Sequence, residues 1–366
     1  MTDKTAPEER SRDASREPLN DMEDGSVPAS LPTADPAETL SRLLNGYQAT
    51  QALHVAARLG IVDVLQDGPK TAQVLADRVG AHEPSLRRFL GFLTTLGLLT
   101  HDSEGHFAAT PVGALLRADH PESERPWALL LGAPPIWQPW GELYEAVVSG
   151  RPAFERVYGE RFFTYLGHNP EQAALFNAAM SSDSANVADI LDAYDFSGSH
   201  TIVDVGGGRG ALLRGILERA PQAKGILFDL PAVLAEAEAG LEAREVVLTG
   251  KCERVGGDMF QSVPAGGDVY VLKRIVHDWS DAEAIQILRN CRQAMSDQGK
   301  LLLIEQVRQP ATQAGPATAT DLMMLVLVTG RERTEEEFRG LLAAAGFGLA
   351  RVIPVGWRSI IEGVCV

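Results

Sequence analysis

The sequence predicts an α/β protein in which a mostly α-helical N-terminal part precedes a doubly wound sheet that ends in a β-hairpin. Three observations support this fold class. Between Pro36 and Leu116, apolar residues recur at the spacing of a buried helix face. After Phe196, short apolar runs typical of buried strands alternate with helical patterns, which predicts parallel strands joined by helices. The final runs "LARVIPV" and "SIIEGVCV" flank a turn at residues 356–358 and predict the hairpin.

The composition limits the class of protein. The 366 residues, 45% of them apolar, are enough for two domains with a sizeable core. A formal net charge of -16 disfavours nucleic acid as a partner, because phosphate-binding surfaces are basic. No apolar run approaches the roughly 20 residues of a membrane span, and the N-terminus has no apolar signal core. Three widely separated cysteines indicate neither a disulfide framework nor a metal cluster. We therefore expect a cytoplasmic protein without bound metal.

The N-terminal half divides into three segments. Residues 1–36 hold nine acidic residues, four basic residues and five prolines, a composition that predicts a disordered acidic tail. Residues 37–120 predict two short helices, a longer helix and a hairpin near Asp102, which is a winged-helix outline suited to packing or dimerisation. DNA binding is the weaker interpretation, because acidic residues surround Arg87 and Arg88. Residues 121–190 predict a helical linker that contributes to a ligand pocket.

Residues 191–366 predict a Rossmann-like domain with five parallel strands. These are "HTIVDVGGG", "KGILFDL", "CERVGGDMF", "DVYVLKRIV" and "GKLLLIEQV". In such sheets, ligands bind beyond the carboxyl ends of the strands. The chemistry-bearing residues of this half lie at those ends, so we expect them to share one crevice.

The glycine-rich loop "VDVGGGRGAL" follows the first of these strands and opens a helix. Gly206 and Gly208 match the dinucleotide fingerprint, and the acidic Asp229 lies 23 positions after Gly206. A packing loop without a ligand stays open as an alternative. Asp204 would repel the pyrophosphate of a nicotinamide cofactor but would attract an ammonium group. It therefore favours S-adenosylmethionine, which carries an ammonium group and no phosphate.

The remaining cofactor contacts are predicted from the same strand ends. Asp229 can accept hydrogen bonds from both ribose hydroxyls. Asp258 can accept from the adenine amino group, while Met259 and Phe260 cover the ring. The predicted cofactor-binding residues are Asp204, Gly206, Gly208, Asp229, Leu230, Gly257, Asp258, Met259, Phe260 and Lys273.

The stretch "VLKRIVHDWSD" places His277 just past the end of the fourth strand. Transfer of the S-adenosylmethionine methyl group to a phenol requires the phenol oxygen to lose its proton. A phenol has a pKa near 10, so at neutral pH it needs a base, and a histidine with a pKa of about 6.5 can take that proton. Glu305, which ends the fifth strand, and Glu337 are the candidates to fix the histidine ring. A helix-entry role without chemistry stays open, since Ser280 or Asp281 is expected to cap the next helix.

The acceptor site is predicted from aromatic and methionine-rich segments, which suit a flat aromatic molecule. Plain core packing is the alternative for each side chain taken singly. The predicted acceptor-binding residues are Trp137, Trp140, Phe163, Phe176, Met180, Asp278, Met323, Met324, Leu327 and Val328, with Asp183 as a further candidate.

Six motifs occur in order: "VDVGGGRG", "FDLP", "GGDMF", "LKRIVHDWSD", "LLIEQV" and "GRERTEEEF". Together they resemble the class I small-molecule O-methyltransferases, the group of plant phenylpropanoid and bacterial polyketide enzymes. The resemblance begins at about residue 37 and implies a winged-helix dimerisation domain, a homodimer and a Rossmann-like domain that binds S-adenosylmethionine. It also implies that His277 is the base, that Glu305 and Glu337 orient it, and that Lys273 lies near the cofactor.

The function expected from these features is S-adenosylmethionine-dependent methylation of a phenolic hydroxyl on an aromatic, polyketide-like natural product. Some members of the family use the same fold and cofactor for hydroxylation or rearrangement, and this alternative stays open. His277 favours methyl transfer, because several of those members lack the histidine. A nicotinamide dehydrogenase is disfavoured by Asp204.

Overall fold

A computed structural model describes residues 35–182, 185–239, 251–309 and 315–366. The predicted acidic tail and Asp183 therefore lie outside the described residues, apart from the last two positions of the tail. None of the described helices is both long enough and apolar enough to span a membrane.

The N-terminal part has the predicted winged-helix outline. Its small antiparallel sheet has the order β1–β3–β2, with β1 at Lys70–Thr71, β2 at Leu99–His101 and β3 at His106–Ala109. The expected hairpin near Asp102 joins β2 to β3. The helices of this part span Pro36–Leu44, Gly46–Leu59, Ile61–Val64, Ala72–Val79, Glu83–Thr95 and Pro111–Ala114.

Local signals explain where these helices begin and end. The Thr71 side chain accepts a hydrogen bond from the Val74 N–H and caps Ala72–Val79. Gly80 ends that helix in the left-handed conformation, which costs glycine no steric clash. Leu75 of this helix and three leucines of the next helix, Leu86, Leu90 and Leu93, lie in one core.

The middle of the chain is a set of short helices between the two parts. They span Arg125–Leu131, Pro134–Trp140, Leu143–Ser149, Ala153–Tyr158, Phe162–His168, Pro170–Ser182 and Ala185–Ala193. Most of them pack around Phe154 and Phe162 into a core that also takes in Met324 from the C-terminal part. This core places the middle helices against the open end of the large sheet.

The C-terminal part is a seven-stranded sheet in the order β6–β5–β4–β7–β8–β10–β9. The strands are β4 Thr201–Val205, β5 Lys224–Asp229, β6 Cys252–Gly256, β7 Val269–Lys273, β8 Lys300–Glu305, β9 Phe347–Val355 and β10 Arg358–Cys365. Strands β4 to β8 run parallel, as predicted, while β10 pairs antiparallel with both β8 and β9. The C-terminal hairpin therefore closes one side of a parallel sheet.

Helices cover both faces of this sheet, and a buried apolar cluster lies on each face. The helices on these faces span Ala211–Arg219, Pro231–Ala239, Asp281–Ala294 and Glu335–Ala345, whereas the helix Pro316–Leu327 packs with the helices of the middle part. Strand order reverses between β4 and β7, which is the position where doubly wound sheets open a crevice for ligands.

Candidate active site

A cavity of about 810 Å³ lies beyond the carboxyl ends of the parallel strands. The strand ends form one side of the cavity. The helices of residues 125–182 and the helix Pro316–Leu327 form the other side. Its size is in the usual range of small-molecule sites, about 300–1,000 Å³. All ten residues predicted to bind the cofactor line this cavity.

The glycine loop after β4 brings backbone N–H groups to the cavity. Gly206, Gly208 and Gly210 have φ angles of 70°, 57° and 79°, a conformation that favours glycine. The Gly208 N–H donates to Asp229 Oδ2 at 2.8 Å. A Cβ on Gly207 would lie 2.6 Å from Asp204 Oδ2, so the loop passes directly over that carboxylate.

Asp204 is a buried acid beneath this loop and lines the cavity. Its Oδ2 atom has no hydrogen-bond partner among the described residues. Burial raises the pKa of Asp204 to about 7, and the nearby Lys273 charge partly offsets this effect. A buried carboxyl oxygen with an unused lone pair fits a ligand that brings an N–H donor, such as the ammonium group that the sequence predicts.

Asp229 and Asp258 stand at the ends of the next two strands. Asp229 Oδ1 accepts from the Leu230 N–H at 2.7 Å, and burial raises the pKa of this carboxyl group. Asp258 Oδ1 accepts from the Phe260 N–H at 2.9 Å. A Cβ on Gly257 would lie 2.6 Å from the Phe228 ring, so only glycine fits between them. Carboxylates and aromatic surface thus alternate along this side of the cavity.

His277 lies in the single 3₁₀ turn Val276–Asp278 that follows β7, and it is 3% exposed. Its Nδ1 atom is 2.8 Å from Glu332 Oε1, and its Nε2 atom is 3.5 Å from Asp278 Oδ1. Burial raises the pKa of Glu332 to about 8 and the pKa of Asp278 to about 6. The histidine therefore has an acid on Nδ1 and lines the cavity beside a second acid.

Glu305 lies beside the same ring, but it does not hydrogen-bond to it. Its Oε2 atom is 4.0 Å from His277 Nδ1, which exceeds hydrogen-bond length. Its Oε1 atom accepts from the Ile275 and Val276 N–H groups at 3.1 and 2.8 Å. Burial raises the pKa of Glu305. The carboxylate thus fixes the backbone that leads into His277 rather than the ring itself.

Glu337 does not take the position that the sequence predicted. Its carboxylate accepts from the Thr334 N–H at 2.7 Å and pairs with Arg331, within the capping box of helix Glu335–Ala345. Glu332, five residues earlier, contacts the ring instead. The sequence carried a weak signal for this, since Glu332 is an acid inserted between Arg331 and Arg333 and could be buried by pairing.

The segment at residues 330–333 packs against the 3₁₀ turn Val276–Asp278 that contains His277. Arg333 is fully buried and donates to the Val276 and Trp279 carbonyls at 2.8 and 2.7 Å. A Cβ on Gly330 would lie 1.9 Å from the His277 carbonyl oxygen, so this glycine allows the two segments to touch. Ser280 caps the following helix in a capping box, which is one of the two caps expected.

The part of the cavity that the sequence assigns to the acceptor, the acceptor half, is lined mainly by apolar and aromatic side chains. Eight of the ten predicted acceptor residues line it: Phe163, Phe176, Met180, Asp278, Met323, Met324, Leu327 and Val328. The other two, Trp137 and Trp140, are not among the described residues that line this cavity. The helix Pro134–Trp140 turns Ile136 toward the cavity and leaves Trp140 36% exposed.

Other aromatic rings take the place of these two tryptophans. Trp279 stacks on Phe163 with centroids 5.3 Å apart and meets the edge of Phe260 at 4.6 Å. Trp127 lines the cavity from the helix Arg125–Leu131. Sequence reasoning did not place Trp127 because a single tryptophan in a short helix does not show which way it faces.

Comparison with sequence families identifies both parts of the chain. The O-methyltransferase domain matches residues 140–348, and the O-methyltransferase dimerisation domain matches residues 41–119. The first match alone covers more than half of the chain.

Individual proteins are similar over most of the chain. The phenazine O-methyltransferase PhzM of Lysobacter antibioticus is 44% identical over 325 residues, which cover 88% of this chain and 94% of that protein. The mitomycin biosynthesis 6-O-methyltransferase of Streptomyces lavendulae is 38% identical over 90% of this chain and 94% of its own length.

A solved structure shows the same architecture with ligands bound. It is the O-methyltransferase NcsB1 from neocarzinostatin biosynthesis, in complex with S-adenosylmethionine and 2-hydroxy-5-methyl naphthoic acid. It is 33% identical, has a TM-score of 0.75, and covers 87% of this chain and 96% of that chain.

Proposed function

The chain belongs to the O-methyltransferase family, whose members use S-adenosylmethionine on aromatic natural products, and we propose that it methylates a phenolic hydroxyl with His277 as the general base. The observation that carries this proposal is the position of His277. Its ring lines the same cavity as Asp204, Asp229 and Asp258 and as the apolar acceptor residues, and its Nδ1 atom lies 2.8 Å from Glu332 Oε1. The acceptor is an aromatic, polyketide-like phenol.

The part of the cavity lined by Asp204, Asp229 and Asp258, the cofactor half, fits S-adenosylmethionine. The unpartnered Asp204 Oδ2 suits the ammonium group, Asp229 suits the ribose hydroxyls, and Asp258 suits the adenine amino group. When bound there, S-adenosylmethionine supplies a methyl group on a positively charged sulfur, open to attack by an oxygen nucleophile. Because these carboxylates lie on the donor side, they also stabilise the positive charge of the sulfonium ligand.

The role of His277 follows from its hydrogen bond. We assign the Nδ1 proton as donor to Glu332, which leaves the Nε2 lone pair free to take the phenol proton. A positioned base of this kind is worth roughly 10²–10⁴ in rate. Positioning of the phenol oxygen by the aromatic wall adds to this, because a correctly aimed reactant has already lost its rotational freedom.

The test is turnover by the purified chain with S-adenosylmethionine and a set of hydroxylated naphthalenes, benzoates and phenazines. We expect S-adenosylhomocysteine and a product that gains one methyl group on oxygen, assigned by mass spectrometry and NMR. A product that is hydroxylated or rearranged without a methyl group would support the alternative chemistry of the fold. A methyl group found on nitrogen would reject the phenol as acceptor.

A further inference from the structure

Arg274 has an unusual backbone at the edge of the cavity. It follows β7 directly and lines the cavity. Its φ angle is 55°, and it is the one non-glycine residue with positive φ in the described ranges. Long side chains rarely adopt this conformation, and where they do, the strain is often found at functional sites. The strained residue comes directly after the end of β7 and lines the cavity, so we expect a functional reason for its conformation.

The guanidinium group of Arg274 lies over an aromatic ring and has one hydrogen-bond donor without a partner among the described residues. Its Cζ atom lies 5.8 Å from the centroid of the Trp127 ring, a cation–π contact. Its Nε atom is buried and has no hydrogen-bond partner among the described residues. A buried N–H without a partner is costly, so a ligand that accepts from it would gain the full benefit of the contact.

The other basic side chains of the cavity belong to different surroundings. The described lining residues with basic side chains are Arg209, Lys273, Arg274 and His277. Arg209 lies within the glycine loop, and the charge of Lys273 acts on Asp204, so both belong to the cofactor half. Among these described residues, Arg274 is therefore the arginine beside Trp127, in the half assigned to the acceptor.

We propose that Arg274 binds a carboxylate on the acceptor, so that the substrate is an aromatic acid that carries the hydroxyl to be methylated. This inference rests on the proposed function and narrows its substrate class. A planar guanidinium matches a carboxylate with two parallel hydrogen bonds, and the Trp127 ring holds its plane. In a wall that is mostly apolar, one such contact helps to fix which hydroxyl of a flat molecule faces His277.

A competing role for Arg274 is that of a counter-ion. Burial raises the pKa of Asp278, Glu305 and Glu332, and the Arg274 charge partly offsets this for each. A counter-ion would affect the histidine environment for every acceptor alike. A carboxylate-binding residue would affect acceptors that carry the carboxylate far more than those that do not. The two roles therefore differ in their dependence on the acceptor.

The experiment uses acceptors in matched sets: a hydroxynaphthoate, a hydroxybenzoate and a hydroxyphenazine carboxylate, each with its methyl ester and its decarboxylated parent. The variants are Arg274→Asn, which tolerates positive φ but removes the charge, and Arg274→Lys, which keeps the charge without the planar fork. Arg351→Asn is the matched control, since Arg351 also lies over an aromatic ring, Tyr194, at 5.4 Å but outside the cavity. KM from initial rates and Kd from calorimetry are measured for each pair.

We expect the wild-type chain to prefer the free acid in at least one set. Arg274→Asn should raise KM and Kd for that acid by roughly 10- to 100-fold and change the ester values much less, while Arg274→Lys restores part of the preference. Arg351→Asn should behave as the wild type. Equal affinity for acid and ester in every set, or an equal loss for both in Arg274→Asn, would overturn the inference. Calorimetry decides this even if no member of the set is methylated, so failure of the proposed function is seen separately.

Discussion

At the scale of single residues, the proposed base His277 depends on its contact with Glu332. The two groups share one hydrogen bond between Nδ1 and Oε1, so the protonation state of Glu332 decides whether Nδ1 donates or accepts. With Glu332 ionised, Nδ1–H donates to the carboxylate and Nε2 has a free lone pair. With Glu332 protonated, its O–H donates to Nδ1, the ring proton lies on Nε2, and the base is lost.

The first prediction removes the base. His277→Ala should lower kcat by roughly 10²–10⁴ and leave S-adenosylmethionine affinity intact, because the ring contacts Glu332 and Asp278 rather than the carboxylates assigned to the cofactor. The loss should shrink as pH rises toward the pKa of the phenol, where the acceptor ionises without help. Rate measurements from pH 7 to 10 check this. A variant as fast as wild type at pH 7 would mean that positioning alone drives the reaction.

The second prediction compares Glu332 with Glu337, the acid that the sequence favoured. Burial raises the pKa of Glu332 to about 8, so this carboxyl group stays protonated until the pH approaches that value. We expect kcat to rise with pH through this window in the wild type. Glu332→Gln removes the titrating group, so the rise near pH 8 should be lost, and kcat should be lower because a neutral amide stabilises the charged ring less than a carboxylate does. Glu337→Gln is the control and should lower thermal stability through the lost helix cap while leaving the pH profile in place.

The third prediction concerns the cofactor half. Asp229→Ala should weaken S-adenosylmethionine binding by about 1–3 kcal/mol, because charge-assisted contacts to the ribose are lost. The same carboxylate accepts from the Gly208 and Leu230 N–H groups, so the glycine loop also loses an anchor. Asp229→Asn keeps an acceptor oxygen and should lose less affinity. Calorimetry measures both, and unchanged affinity in a folded variant would reject the ribose assignment.

Residue positions next to strand ends were predictable from the sequence, whereas residues on short helices and loops were not. The end of a parallel strand faces the crevice whatever surrounds it, so Asp204, Asp229 and His277 could be placed. The direction of Trp127 or Trp137 depends on how a short helix lies against its neighbours. For the same reason, the sequence pointed to Glu337 where the structure has Glu332 beside His277. The path of the loop before the helix Glu335–Ala345 is set by its contacts with the turn Val276–Asp278, which the sequence does not show.

At the scale of elements, the fit between the loop at residues 330–333 and the 3₁₀ turn Val276–Asp278 is the tightest contact near the histidine. Gly330 lies against the backbone of that turn, and Arg333 donates to the carbonyls on both sides of His277. These contacts come from residues more than fifty positions apart in the chain. They explain why the turn keeps its shape although it contains no regular helix or strand.

The fourth prediction tests this fit with two glycines. Gly330→Ala should displace the turn, since the added Cβ would overlap the His277 carbonyl, and should cost about 1–3 kcal/mol of stability together with most of the activity. Gly340 lies in the helix Glu335–Ala345 with open space around it, so Gly340→Ala should be stabilising by about 0.5–1 kcal/mol. Denaturation and initial rates measure both. Full activity in Gly330→Ala would show that the turn adapts.

At the scale of the whole molecule, the N-terminal helices expose apolar side chains that a monomer would leave in water. Leu40, Leu43, Leu44 and Tyr47 are all more than half exposed, and the helix Pro36–Leu44 has no buried residue. Contiguous apolar surface of this kind marks a protein interface. The match of residues 41–119 to a dimerisation domain supports a homodimer in which a second copy covers these side chains.

The fifth prediction is the oligomeric state. Light scattering at micromolar concentration should give the mass of a dimer, and Leu43→Glu combined with Leu44→Glu should give a monomer, because two charges would have to be buried. Val112→Glu is the control, an exposed valine in another helix of the same part, and should remain a dimer. A wild-type monomer would contradict the interface.

The helix Arg125–Leu131 sets a limit on how such enzymes can be recombined. It supplies Trp127 to the acceptor wall, while its carbonyls at residues 128 and 129 lie 3.3 and 3.1 Å from His54 of the helix Gly46–Leu59. The donor-binding strand ends belong to a separate stretch of chain. A chimera that takes residues 125–182 from a relative should therefore accept a different aromatic scaffold with an unchanged methyl donor. The chimera will fold well only if the incoming helix at residues 125–131 still packs against His54 of the recipient. A design for new acceptors should therefore transfer the helices Gly46–Leu59 and Arg125–Leu131 together.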